Sequence, residues 1–170
     1  NVYGLNRLAL NDSVEGGVSL TYGSEFKRIN KVNSRENLVF KIANNTRFDE
    51  NKDLPTNNQM GQKTSNFFGE ISYDPNEFFT TKYNFSTKNN LNDISYENFT
   101  ANLNLNKFET SFDYINENDK EDKISYLKSE LKYNFNDTNN ISFSTRENIE
   151  KDLTEYYNLI YQYKIDCLAA

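Results

Sequence analysis

The chain has 170 residues, 26% of them charged and 36% hydrophobic, with a net charge of −6 and no histidine. An acidic chain without clustered Lys and Arg excludes general nucleic-acid binding, which needs cations to neutralise phosphates. The lack of His excludes histidine triads, imidazole acid–base catalysis and His metal sites. Aromatic residues make up 15%, with 12 Tyr and 13 Phe. That is too many, too regularly spaced, for a disordered chain. No apolar run approaches the roughly 20 residues of a membrane-spanning helix, a test that spanning strands of about 9–11 residues escape.

Alternation with a period of two runs through the chain. Val14, Gly16, Val18, Leu20 and Tyr22 share one face of a first strand, with Glu15, Gly17, Ser19 and Thr21 on the other. Leu38, Phe40 and Ile42 form the next apolar face, opposite Lys41 and Asn45. Phe67, Gly69, Ile71 and Tyr73 follow, then Phe79, Thr81, Tyr83 and Phe85 opposite Lys82, Asn84 and Ser86. The fifth run sets Phe99, Ala101, Leu103 and Leu105 against Asn98, Thr100, Asn102 and Asn104. Tyr96 is out of phase with it, which predicts a bulge near Glu97. Phe108, Thr110, Phe112 and Tyr114 come next, then Leu127, Leu131, Tyr133 and Phe135. Ile141, Phe143 and Thr145, then Tyr157, Leu159, Tyr161, Tyr163 and Ile165, complete about nine strands with no helix between them.

The connections carry a second pattern. Asp74-Pro75-Asn76-Glu77, Asn106-Lys107 and Asn136-Asp137-Thr138-Asn139-Asn140 are short turns of turn-forming residues. Asp49 to Thr64, Thr87 to Asp93, Asn116 to Lys123 and Glu150 to Thr154 are longer polar stretches between them. Short and long connections alternate in outer-membrane barrels, with short periplasmic turns and longer outside loops. Tyr and Phe at the ends of the apolar runs suit aromatic girdles, and the opposite face of Ser, Thr, Asn, Lys and Glu suits a hydrated lumen. Glu147 interrupts the apolar face in phase with Phe143 and is expected above the bilayer, near a strand end. The expected fold is all-β: an antiparallel up-and-down meander, part of a transmembrane β-barrel and open as it stands. Residues 1–170 are expected to be one stretch of a single barrel domain. With no initiating Met, signal-peptide pattern or stop-transfer segment, the chain is expected to be a piece of a longer protein.

No catalytic site, cofactor site or metal site emerges from the residues. Cys167 has no His partner and cannot form an internal disulfide; it is either a buried inert thiol or the partner of a Cys elsewhere. Glu117, Asp119, Glu121 and Asp122 lack the ligand spacing and glycine of an EF-hand and read as a solvated loop. Asp53-Leu54-Pro55 and Gly61 punctuate a folded surface loop. Gly16-Gly17, placed within the first strand, marks a bend or a close backbone approach rather than a ligand site.

Two segments carry a family resemblance. Tyr3-Gly4-Leu5-Asn6-Arg7-Leu8 followed by Asp12-Ser13-Val14-Glu15-Gly16-Gly17 resembles the "GLDR…DRVEGG" stretch of the LptD family of lipopolysaccharide-assembly proteins. Tyr161-Gln162-Tyr163-Lys164-Ile165-Asp166-Cys167-Leu168 resembles that family's "Y-x-Y-x-x-D-C" strand. Asp53-Leu54-Pro55 and Phe68-Gly69-Glu70-Ile71-Ser72-Tyr73-Asp74-Pro75-Asn76 are similar in order and spacing. Leu5, Arg7, Glu15, Gly16, Gly17 and Asp166 are thus the family-motif positions.

The resemblance implies a non-enzymatic barrel of the Gram-negative outer membrane that delivers lipopolysaccharide to the outer leaflet. It further implies an LptE-like lipoprotein plug, an LptA-like periplasmic bridge, an N-terminal periplasmic domain and closing strands outside this sequence. It makes Cys167 the match of a C-terminal cysteine that pairs with an N-terminal one, although Asp166 stands where some members have a second Cys. The net negative charge is expected to keep a phosphorylated head from being trapped in the lumen. A porin-like passive channel is the alternative, and a soluble β-rich binding module a third reading.

Overall fold

The computed structural model describes residues 16–52, 54, 59–118, 123–165, 168 and 169. They form one open antiparallel sheet in which every strand pairs with its sequence neighbours, and there is no helix among them. The strands are β1 (Ser19–Ile29), β2 (Glu36–Arg47), β3 (Phe67–Tyr73), β4 (Phe79–Thr87) and β5 (Ile94–Leu105), followed by β6 (Phe108–Asn118), β7 (Lys123–Asn134), β8 (Asn139–Asn148) and β9 (Leu153–Ile165). A two-residue β10 (Leu168–Ala169) folds back on β9. The all-β meander expected from alternation is therefore the architecture found.

Alternation becomes structure through register. One ladder row places Phe26, Phe40, Ile71, Tyr83, Phe99, Tyr114, Leu127 and Glu147 side by side on one face. The row behind the opposite face holds Glu25, Lys41, Glu70, Asn84 and Asn98. A slip of one residue would exchange the two sets, so the contrast between the faces pins the pairing.

The turns are fixed by asparagine. Asn76 Oδ1 accepts the backbone N–H groups of Phe78 and Phe79, both at 2.9 Å. Asn136 Oδ1 does the same for Thr138 (3.0 Å) and Asn139 (2.8 Å). These side chains stand in for a backbone acceptor and close the turn. Asn106 enters the left-handed region (φ 52°), which Asn tolerates better than most residues, in the tight β5–β6 hairpin.

Several sequence expectations are corrected. The first strand begins at Ser19 and runs through Gly23 to Ile29, so Gly16 and Gly17 precede it. The bulge lies at Ser95: Ser86 pairs with Tyr96 but Thr87 with Ile94. That is too early to bring Tyr96 round to Phe99, so Tyr96 stays on the polar face and Glu97 joins the apolar one. The longer connections all fall at one end of the sheet, but strand pairing takes up part of three of them. Asn116 to Asn118 belong to β6, Lys123 to β7, and Leu153 and Thr154 to β9. Only the β2–β3 connection, 48–66, is much longer than the turns at the other end.

Gly69 shows what the sheet asks of one residue. The Phe85 ring lies across it, in the space a Cβ would occupy, the aromatic cover that a strand glycine often receives. Gly69→Val is expected to push Phe85 aside and destabilise the fold by about 1–3 kcal/mol. A denaturation midpoint unchanged from the parent would show that the ring has somewhere else to go.

Candidate functional site: the two faces of the sheet

The polar face carries groups of ion pairs and amide contacts along most of its strands. On β1–β4, Lys27 meets Glu36 (3.1 Å) and Glu25 (3.4 Å), and Lys41 meets Glu25 (3.7 Å) and Glu70 (3.0 Å). Lys82 completes the series on the other oxygen of Glu70 (2.8 Å). Asn84 and Asn98 continue it by side-chain amide contact, and Asn98 donates to Asp113 Oδ1 (2.8 Å). Farther on, Glu109 takes Lys132 (3.4 Å) and the Asn134 amide (2.7 Å). Arg146 meets Glu155 (2.8 Å) and lies 4.0 Å from the centre of the Tyr126 ring.

These side chains are part-exposed, so each pair contributes only a fraction of a kcal/mol. Their collective effect is on the field of the surface. Glu25, Glu70, Glu109, Asp113 and Glu130 are interleaved with Lys27, Lys41, Lys82, Lys128, Lys132 and Arg146. This face is close to electroneutral, and the net charge of −6 resides chiefly in the connections. The expectation that net negative charge keeps a phosphorylated head from being trapped therefore loses its basis on this face, which carries paired charges and amides rather than an excess of acid. A hollow of about 270 Å³ on this face is lined by Asn102, Asn104, Glu109, Ser111, Glu130 and Lys132.

The other face is apolar from β2 to β9. Leu103, Leu105, Phe112, Leu131, Phe143, Leu159 and Tyr161 point outward from their strands, and most are exposed. Two hydroxyls that interrupt this face bond to the backbone: Thr110 donates to the Glu130 carbonyl (2.9 Å) and Thr81 to the Tyr73 carbonyl (3.4 Å). Glu147 lies opposite Leu127, next to the last residue of β8.

A third feature is a buried polar neck where the 48–66 connection leaves and re-enters the sheet. Asn44, Asn45, Ser65 and Asn66 are the most completely buried side chains among the described residues. Asn66 donates to Ser86 Oγ (3.0 Å) and Ser95 Oγ (2.9 Å), and Asn45 to Thr21 Oγ1 (2.9 Å). The Asn44 amide reaches the carbonyls of Ser65 (3.0 Å) and Asn66 (3.3 Å). Leu54 and Met60 are buried under the same connection. Arg47 donates to the Gly16 carbonyl, and Gly17 sits in the left-handed region (φ 86°) against the Arg47 side chain. In place of the expected bend or close backbone approach, the Arg47 side chain lies against Gly17, and the space beside Gly16 is open. Spacing gave no sign of it.

Leu5, Arg7, Glu15, Asp166 and Cys167 lie outside the described residues, as do Asp53, Pro55, Asp119, Glu121 and Asp122. Among the described residues no group of three acidic or Cys side chains is placed to hold a metal ion, and no helix is long and apolar enough to cross a membrane. Residues 1–153 match the family model described as LptD, LPS transport system D. The match ends where β9 begins, so Asp166 and Cys167 fall beyond it. No curated protein matches the chain.

Proposed function

Because this chain belongs to the LptD family, LPS transport system D, we propose that its sheet is a stretch of outer-membrane β-barrel wall along which lipopolysaccharide is delivered to the outer leaflet. Residues 1–170 form part of one barrel domain, with the polar face toward the lumen and the apolar face toward lipid. The carrying observation is the one-sidedness of an uninterrupted meander, with charge-paired amides behind and exposed Leu, Phe and Tyr in front. A wall of balanced charges suits passage of a large, phosphorylated, sugar-bearing head, because it solvates the head without a strong local field to hold it. The barrel works with an LptE-like plug and an LptA-like periplasmic bridge. Cys167 pairs with a cysteine outside this sequence.

The test is depletion of the full protein in its source bacterium, with lipopolysaccharide at the cell surface measured by its accessibility to an impermeant probe. Loss of surface lipopolysaccharide, with the lipid accumulating inside the envelope, is the expected result. Normal surface lipopolysaccharide with impaired solute uptake would replace this reading with a porin-like channel.

A further inference from the structure

The outward face has a measurable height. One ladder row runs Leu38, Tyr73, Thr81, Ala101, Phe112, Ser129, Thr145, Tyr157. It passes through the last residue of β3, at the turn end, and meets β9 at Tyr157, four residues from the loop end at Leu153 and eight from Ile165. The strand ends therefore drift along the rows by roughly one residue per strand. With a rise of about 3.3 Å and a spacing of about 4.8 Å, that is a tilt of about 35–40°. The tilt brings Thr46, Thr87, Glu97, Asn116 and Glu147, outward residues toward the loop ends of their strands, to a similar depth, with Leu20 beside Thr46 and Phe67 and Ile94 beside Thr87.

On β5, β6 and β8 this line is polar, at Glu97, Asn116 and Glu147. Glu97 accepts from the Tyr83 hydroxyl (2.9 Å) and the Asn116 amide (3.0 Å) on the outward side of the sheet. At the turn end the last outward residues are Leu38, Tyr73, Phe79, Leu105 and Phe108. Between the two lines each strand presents only three or four outward positions, such as Phe99, Ala101, Leu103 and Leu105 on β5. Seven residues along a tilted strand cover about 16–20 Å of depth, against about 25 Å for an ordinary barrel band.

We propose that this sheet is matched to a hydrocarbon layer several ångströms thinner than usual, and that the membrane thins beside it. The occupant of the face is a lipid bilayer, because the band is level, carries Tyr73, Phe79 and Phe108 at its turn edge, and has the bonded Glu97 and Asn116 above it. A protein partner requires none of these. Thinning shortens the path of a lipid's polar head past the hydrocarbon, and mismatch is relieved by the bilayer more readily than by a stiff sheet. The inference rests on the barrel reading above.

The experiment places one tryptophan at a time in the full-length protein, as Glu97→Trp, Phe112→Trp and Leu105→Trp, in vesicles of lipids brominated at defined chain depths. Fluorescence is read as the difference from the unsubstituted protein. Phe112→Trp is expected to lose most of its emission to bromines near the chain ends, and the other two chiefly to bromines near the headgroup. If Glu97→Trp is quenched by deep bromines as strongly as Phe112→Trp, the band is of ordinary height and the inference falls while the barrel stands. If none of the three is quenched, the face does not meet lipid and the barrel reading falls too. Should Glu97→Trp not fold, Asn116→Trp at similar depth reads the same boundary.

Discussion

Ala101→Arg is expected to cost about 2–4 kcal/mol of folding free energy in a bilayer, and Asn102→Arg, the next residue on β5, less than about 1 kcal/mol. Ala101 lies on the apolar face between Thr81 and Phe112, near the middle of the band. On the proposed barrel reading a guanidinium there meets hydrocarbon, and its row holds no carboxylate. Asn102 lies on the other face between Thr80 and Ser111 and donates weakly to Thr80 Oγ1 (3.4 Å). An Arg at 102 reaches water and the nearby Glu109 and Glu130, which line the same hollow. Denaturant titration of the full-length variants in lipid vesicles measures both. Equal costs would mean that the two faces meet the same solvent, and the lumen-versus-lipid assignment would be lost.

Much of this fold is legible in the sequence because both of its main causes are local. Period-two alternation determines which side chains share a face, and it placed Phe67, Ile71, Tyr73 and all of Phe99 to Leu105 correctly. Asn76, Asn106 and Asn136 announced their turns because an Asn side chain can close a turn on its own backbone. The errors came where pairing decides the outcome. The polar segment Gly23 to Ile29 has little apolar alternation, yet it is strand because it pairs with Leu38 to Ala43 and with Glu36. Asn116 to Asn118 looked like loop, but ladder bonds to β5 and β7 hold them extended. The position of the bulge likewise depends on which Ser95 neighbour pairs with Thr87, information that no single strand contains. The charge argument rested on a sum over the whole chain, which cross-strand pairing balances on the polar face.

The neck was invisible because it joins residues of β2, β4, β5 and the 48–66 connection that no single strand contains, and it yields the second large effect. Asn66→Leu is expected to destabilise the sheet by about 2–3 kcal/mol, because it removes two hydrogen bonds at a fully buried site and strands acceptors there. Ser95 Oγ keeps its bond to the Ser86 carbonyl (3.1 Å), which limits the loss. Asn140→Leu, which breaks one exposed contact to Gln162 Oε1 (3.2 Å), is expected to cost under about 0.5 kcal/mol. The difference is also expected to be local. Asn66 ties the re-entry of the 48–66 connection to β4 and β5, whereas Asn51 N–H to Gly61 (2.7 Å) and Arg47 N–H to Lys63 (2.8 Å) hold the connection to itself and to β2. Losing the tie should loosen the connection before the sheet. Trypsin cleavage after Lys52 and Lys63 in the folded protein is therefore expected to quicken in Asn66→Leu and to stay unchanged in Asn140→Leu. Equal cleavage in the two variants would mean that the neck does not hold the connection, and that its burial is a consequence of the fold rather than a support of it.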